Sequence, residues 1–321
     1  MNIFQTNNEV KKEKQMKKRI LMLLMTVAMT AALAACGKKE EAVEEVTVEI
    51  EEEAAVEEEP VVEEEPAVEE VVVPEGFYRS ELTNEIISEE LKDQRPIAVM
   101  VDNDKRALPH FGLTQADVVY ELMNSTANKE ITRFMCLVKD WDAITQFGSV
   151  RSLRPTNILL ANEWHAIICH DGGPYHNNPY LELPATDNIS GYFGRVNNGK
   201  PREFTEYILT GEIQKYADRL GIETSYNEHY AGAHYQFADE ANAQILSEIY
   251  PDFAKSAKFI DLPFPNNQSE LEYNAEDGLY YYSEHGGPHL DAQNGNKQLA
   301  FKNVILQRVT YNQLDENGYL I

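Results

Sequence analysis

Cysteine is nearly missing, three residues in 321, which excludes a disulfide-dense small scaffold. Basic residues are scarce as well: 28 Lys and Arg stand against 54 Asp and Glu, a formal charge of −26. So acidic a chain, with no long basic stripe, repels phosphate backbones, and nucleic acid is excluded as a general partner. Only one apolar run comes near membrane length, which excludes a multi-span membrane protein. No GxSxG, Ser-x-x-Lys or P-loop pattern occurs, so no catalytic residue is assigned and no cofactor is expected. No metal is expected either. His165, His170 and His176 match no HExxH or CxxC spacing and read as hydrogen-bonded groups.

What is present first is an address. Residues 1–36 carry six Lys/Arg and two Glu, whereas residues 37–76 carry two Lys and 17 Glu. From Met16 the chain reads MKKRILMLLMTVAMTAALAAC. Lys17, Lys18 and Arg19 form a basic flank, and Ile20 to Leu33 is an apolar run too short for a comfortable membrane span. Leu33-Ala34-Ala35-Cys36 resembles the lipobox of bacterial lipoproteins, in which the cysteine thiol takes a diacylglyceryl group. Residues 1–35 are read as a signal peptide with Met16 as the true start, and Cys36 as the lipidated first residue of the mature chain. The expected location is the extracytoplasmic face of the cell membrane, held by acyl chains such as palmitate. Residues 36–76, with Glu blocks interrupted by Pro60, Pro66 and Pro74, are read as a disordered, self-extending acidic linker.

The folded part is expected to be mixed α/β: an N-terminal α/β domain over 77–232 with a partly parallel sheet, then a β-rich domain over 233–321. RPIAVMVD (95–102) reads as a buried strand, and Ala116–Leu122 and Glu130–Val138 read as extended. In the latter, Ile131, Arg133, Met135 and Leu137 share one face, and Thr132, Phe134, Cys136 and Val138 the other. Ala143–Val150 is predicted as a strand and Pro155–Trp164 as a helix with Ser152 as a cap. His165–His170 follows as a strand parallel to the one before the helix. A second helix is expected over Thr210–Leu220, capped by Thr210 and closed by Gly221. Beyond His234, LEYNAEDGLYYYS and NGNKQLAFKNVILQRVTY suggest antiparallel strands, with Tyr280, Tyr281 and Tyr282 as sheet packing. Tyr319-Leu320-Ile321 is too short for a return strand, so this domain is expected to be incomplete. Cys136 and Cys169 are either a disulfide or two buried thiols.

RPIAVMVDN, GLTQADVVYE, ITRFMCL, GSVRSLRP and HDGGP, in this order, resemble the YerB-like lipoprotein family. The resemblance runs from about Ser80 to the end, and Arg151-Ser152-x-Arg154 is its most specific element. It implies an N-terminal α/β domain followed by a smaller domain, both without a settled reaction.

The residues themselves point to one rim. Arg151, Ser152 and Arg154 lie between a strand end and a helix start, where free N–H groups favour anions. Guanidiniums add bidentate donors suited to phosphate or carboxylate. His170, Asp171, Gly172 and Gly173 end the next strand and are expected on the same rim, with Asn103 joining them. Asp102, Glu121 and Arg133 are the supporting charges. The competing reading is that Arg151 and Arg154 pair with Glu121 or Asp102 and only lock the fold. The expected function is a membrane-anchored module that binds a ligand, an envelope polymer or a protein partner. An enzyme acting on anionic envelope precursors and a solute-binding lipoprotein of a transporter are the alternatives.

Overall fold

Every residue of strand β1 (Ile97–Asp102) is buried, so both faces of the sheet it centres must be covered. The alternation of the chain divides the work. Ile97, Val99 and Val101 enter one hydrophobic core, while Ala98 and Met100 enter a second one on the other face. The computed structural model describes residues 72–238 and 245–321; Cys36, the expected signal peptide and nearly all of the acidic linker lie outside them.

The central sheet is mixed. Strands β2 (Val118–Met123) and β3 (Thr132–Val138) run antiparallel to each other, and β3 runs antiparallel to β1. The three-residue β4 (Gln146–Gly148) belongs elsewhere, while β5 (Ile167–His170) adds to β1 in parallel and β6 (Asn188–Ser190) adds to β5 in parallel. The strand order is therefore β2-β3-β1-β5-β6. Helix α1 (Pro155–Glu163) covers one face through Ile158 and Ala161, beside Met135 and Leu137. The other face packs on Phe147 of β4, on Ile208 of β8 (Glu206–Leu209) and on Ile213 and Tyr216 of α2 (Glu212–Leu220). Between β6 and β8 lies the short β7 (Gly194–Arg195), and β4-β8-β7 form a small antiparallel sheet.

The later residues form a second sheet, β9 (Phe259–Asp261), β10 (Glu270–Asn274), β11 (Leu279–Glu284) and β12 (Gly287–Pro288), with β13 (Ala300–Phe301) also on β11. Its Leu271 and Tyr282 share the core of Val99 and Phe134, so the two sheets bury a common apolar layer.

Several expectations are corrected. The strand before α1 is not the parallel partner of β5. Gly148 sits at φ 130°, where a Cβ would lie 2.7 Å from the Val150 nitrogen, and the chain turns there. The strand over 143–150 shrinks to β4, which bonds to β8, and β1 takes the parallel place beside β5. Ser152 does not cap α1: the cap position is Arg154, whose N–H donates to Asn157 Oδ1 at 3.1 Å. Thr210 likewise yields to Gly211, at φ 72°, while Gly221 ends α2 as expected. The apolar stretch 303–311 forms neither helix nor strand. The closing residues do pair: Asn312 and Ile321 exchange backbone hydrogen bonds, and Leu314 N–H donates to Tyr319 O. Cys136 and Cys169 are both free, buried thiols. They flank Val99 on opposite sides, two strand spacings or about 10 Å apart, beyond the ~7 Å a disulfide tolerates.

Candidate functional site

The segment after β4 runs between the end of β1 and the loop after β5. Asp102 N–H donates to Ser149 O, Arg151 N–H to Met100 O, and Asp171 N–H to Arg151 O. Leu153 N–H donates to Gly172 O. These bonds bring residues 151–154 and 170–173 to one rim, although the strands expected to do it are not neighbours.

Arg151 Nε donates to Asp102 Oδ2 at 2.6 Å, and its Nη2 reaches Glu203 Oε2 at 3.2 Å. Arg133 Nη1 donates to the Ser152 carbonyl at 2.7 Å, and its Nη2 stands 3.9 Å from Asp102. Arg154 has no carboxylate within bonding range among the described residues. It donates to the carbonyls of Asn124 and Leu153, and its guanidinium lies 4.5 Å from the centre of the Tyr319 ring. Two guanidiniums, of Arg151 and Arg133, thus approach the buried Asp102 carboxylate, and that of Arg154 stands beside them on carbonyls and the Tyr319 ring. Burial, helped by the Arg154 and Arg151 charges and opposed by Asp102, pushes Arg133 down to about 9. Burial and Arg151 push Arg154 down to about 10, against Tyr319 and Asp315. Guanidiniums still carry their charge at pH 7, so Arg154 stays cationic with no carboxylate bonded to it among the described residues.

The rest of the rim is hydrogen-bonded. His170 is buried, with Nδ1 at 2.8 Å from Gly172 O and Nε2 at 3.2 Å from Asn188 Oδ1; burial lowers its pKa. A Cβ on Gly173 would strike the Asn177 amide at 2.2 Å, so that turn admits only glycine without rearrangement. Asp171 pairs with Arg195 at 3.0 Å, and Arg195 also donates to Glu206. Burial and the neighbouring Asp171 raise Glu206 to about 7. Asp171 is lowered: burial opposes its charge, but hydrogen bonds from Glu206 and Arg195 prevail.

Asn103 and Glu121 turn away from this rim. Asn103 Nδ2 donates to Thr132 Oγ1 at 2.8 Å, and Glu121 Oε1 accepts from Thr132 and Ser269. They belong to a relay between the two sheets. Asn267 Nδ2 donates to Asn103 O and to Glu284 Oε2, Glu284 Oε1 lies 2.7 Å from His289 Nδ1, and His289 Nε2 lies 3.1 Å from His110 Nδ1. Burial is the main cause that raises Glu121 to about 7.

Three comparisons bear on this arrangement. Residues 82–223 match the family model described as "Protein of unknown function (DUF3048) N-terminal domain", and residues 260–320 match its C-terminal counterpart. The chain belongs to the DUF3048 family. A relative in this family's vicinity, the Bacillus subtilis (strain 168) protein named "Putative lipoprotein YerB", is 27% identical over 250 residues, 75% of this chain and 70% of the other. The crystal structure of YerB protein from Bacillus subtilis superposes with a TM-score of 0.60 at 22% identity, covering 76% of this chain and 79% of that one. That likeness carries the fold: a mixed α/β domain arrangement shared with a DUF3048 relative.

Against this fold, sequence reasoning brings Arg151, Ser152, Arg154, His170, Asp171, Gly172 and Gly173 to one rim and places Asp102 and Arg133 at its floor. It misses Arg195, Glu206 and Tyr319, and it misses the relay. The relay histidines share one local signal, since His110 and His289 each follow a proline. The two best-formed depressions, about 640 and 460 Å³, are open and lie beside Pro265 and Gln268 rather than over the rim.

Proposed function

We propose that this chain is a lipid-anchored lipoprotein of the extracytoplasmic membrane face whose folded part binds an oxyanion at the arginine rim. The observation that carries the binding reading is the gathering of Arg133, Arg151 and Arg154 at one rim, with Arg154 bonded to no carboxylate among the described residues. An oxyanion gives Arg154 the anionic partner it lacks and accepts the planar forks of guanidinium donors. The lipobox-like Cys36 and the lipoprotein name of the relative support the anchor. Residues 1–35 are then removed, residues 36–76 act as tether, and 77–232 and 233–321 are the folded domains. As a flexible coil, such a tether holds its domain about 35 Å from the membrane. Two or three acyl chains at about 0.8 kcal/mol per buried methylene give stable attachment. An envelope polymer or protein bearing phosphate or carboxylate is the fitting partner.

Two measurements test this. Cys36→Ser should move the protein from the membrane fraction to the soluble one and abolish palmitate labelling. Arg151→Ala with Arg154→Ala should abolish binding of inorganic phosphate while the circular dichroism spectrum is kept. Unchanged binding overturns the site, as does collapse of the fold without a separable binding defect.

One observation favours a second reading, an enzyme on the same anion. Asp171 and Glu206 share Arg195, and their environments drive their proton affinities apart, which suits an acid–base pair. Phosphate-ester hydrolysis that vanishes in Asp171→Asn, with phosphate binding kept, would establish it.

A further inference from the structure

Three side chains under the rim have polar atoms with no hydrogen-bond partner: Arg133 Nε, Asn124 Oδ1 and Asn177 Oδ1. All three residues are more than nine-tenths buried, at 7%, 6% and 2% exposure. They surround Arg154. Its Nε donates to the Asn124 carbonyl, and its Nη1 shares the Leu153 carbonyl with Asn177 Nδ2. Buried polar atoms left without partners are rare and call for an occupant. Here the unpartnered donor sits among guanidiniums, where a phosphate oxygen fits. The two unpartnered acceptors, on residues that neighbour Arg154, suit hydroxyl donors.

The terminal hairpin, Asn312–Ile321, covers this place. Tyr319 stacks on Arg154, Ser125 Oγ donates to Asn317 O at 2.7 Å, Thr126 N–H donates to Gly318 O at 2.9 Å, and His176 Nε2 meets Asp315 Oδ2 at 3.1 Å. The hairpin bonds mostly to itself, and residues 303–311 leading into it take part in no strand or helix. Its departure breaks no strand pairing of the larger sheets and exposes one buried apolar side chain, Leu320, now 6% exposed. Its seat is tight: a Cβ on Gly318, at φ 73°, would lie 2.4 Å from Thr126 Oγ1 and 2.5 Å from the Ala127 nitrogen.

We infer that the rim's ligand is a hydroxyl-bearing phosphate, a polyol or sugar phosphate, and that it enters by displacing the hairpin Asn312–Ile321. This rests on the oxyanion reading above. Tyr319 and the ligand then compete for the face of Arg154, and the apparent affinity of the closed protein is reduced by the fraction of time the hairpin is off. By linkage, ligand binding must in turn loosen the hairpin.

The test uses the full-length chain, titrated with inorganic phosphate, glycerol phosphate and glycerol, while hydrogen exchange is followed at the Thr126 N–H. Glycerol phosphate should bind about tenfold more tightly than phosphate, the worth of one or two added hydrogen bonds. Gly318→Ala should expose the Thr126 amide and raise affinity for glycerol phosphate about tenfold. In the wild type, glycerol phosphate should itself speed that exchange. Vesicles of phosphatidylglycerol, set against phosphatidylcholine, distinguish a lipid headgroup from a soluble ester as the source of the same chemistry. Equal affinity for phosphate and glycerol phosphate overturns the ligand class. A freed Thr126 amide with unchanged affinity overturns the competition, as does full protection in both Gly318→Ala and Gly318→Val. If no phosphate binds to the wild type or to Gly318→Ala, the oxyanion reading itself falls.

Discussion

Two buried polar clusters begin at adjacent residues, Asp102 and Asn103, and they differ in how their charge is balanced. The relay from Asn103 ends in His110, His289 and Glu284, all 3% exposed or less, packed between the two sheets. Its carboxylate faces a histidine and an amide, and Glu121 keeps its proton until about pH 7. Unpartnered atoms exist there too, at His110 Nε2, Asn103 Oδ1 and Glu121 Oε2, but no cation is in excess. The rim from Asp102 holds Arg151 and Arg133 near that carboxylate and Arg154 on carbonyls alone, under a hairpin seated by a handful of contacts. Burial by packed sheets makes a weld; an arginine without a carboxylate partner under a separable cover is what the proposed oxyanion site rests on.

The sharpest way to break this contrast is Glu284→Ala. It strands His289 and Asn267 in the core and should cost about 3 kcal/mol in urea unfolding, with phosphate affinity unchanged. A cost below about 1 kcal/mol would mean that the relay does not join the sheets.

Next comes pH. Glu121 and Glu206 hold protons in the fold up to about 7 that the unfolded chain releases near the ordinary 4.5. At these two sites the native state binds more protons across that window, so their contribution to stability should be full below about pH 4.5, fall as pH rises to about 7, and level off above. The slope is at most on the order of 1 kcal/mol per pH unit for each group. Urea midpoints at pH 5, 6, 7 and 8 measure it. Glu121→Gln should remove the relay's share, and Glu206→Gln the share beside the rim.

Arg133→Met should separate site from weld. A buried cation replaced by an apolar side chain of similar length should shift stability by less than about 1.5 kcal/mol in either direction. Phosphate affinity should drop about tenfold or more. Large destabilisation with intact binding would make Arg133 part of the frame. The smallest effect belongs to Asp315→Asn, which weakens the partly buried contact with His176. Unfolding should change by under about 1 kcal/mol, and Thr126 amide exchange should rise modestly.

Much of the frame was legible. The unbroken apolar run Ile97–Val101 demanded a strand covered on both faces, and the alternation in Arg133–Val138 assigned each residue to its core. Pro155 and Gly221 marked a helix start and a helix end. What failed was pairing. Nothing local to Gln146–Gly148 says that it bonds to Glu206–Leu209, some sixty residues on, rather than lying beside Ile167–His170. The apolar stretch 303–311 has strand composition but finds no partner, because propensity needs a neighbouring edge to become a strand. The rim residues were readable because they cluster within a few positions of strand ends. Tyr319 and the relay were not, because they close over separations of more than 150 residues.

The sequence by itself determined the basic–apolar–LAAC start, the acidic linker, the two-faced burial of the central strand and the shortage of base over most of the chain. These depend on composition and on neighbours along the backbone. Only the tertiary structure decided that Asp102 would meet two arginines, that Asn103 beside it would face the opposite cluster, and that the last ten residues would return to cover Arg154. Adjacent residues on a strand point to opposite faces, so a one-residue step sends two side chains into different surroundings, and only packing fixes what waits there.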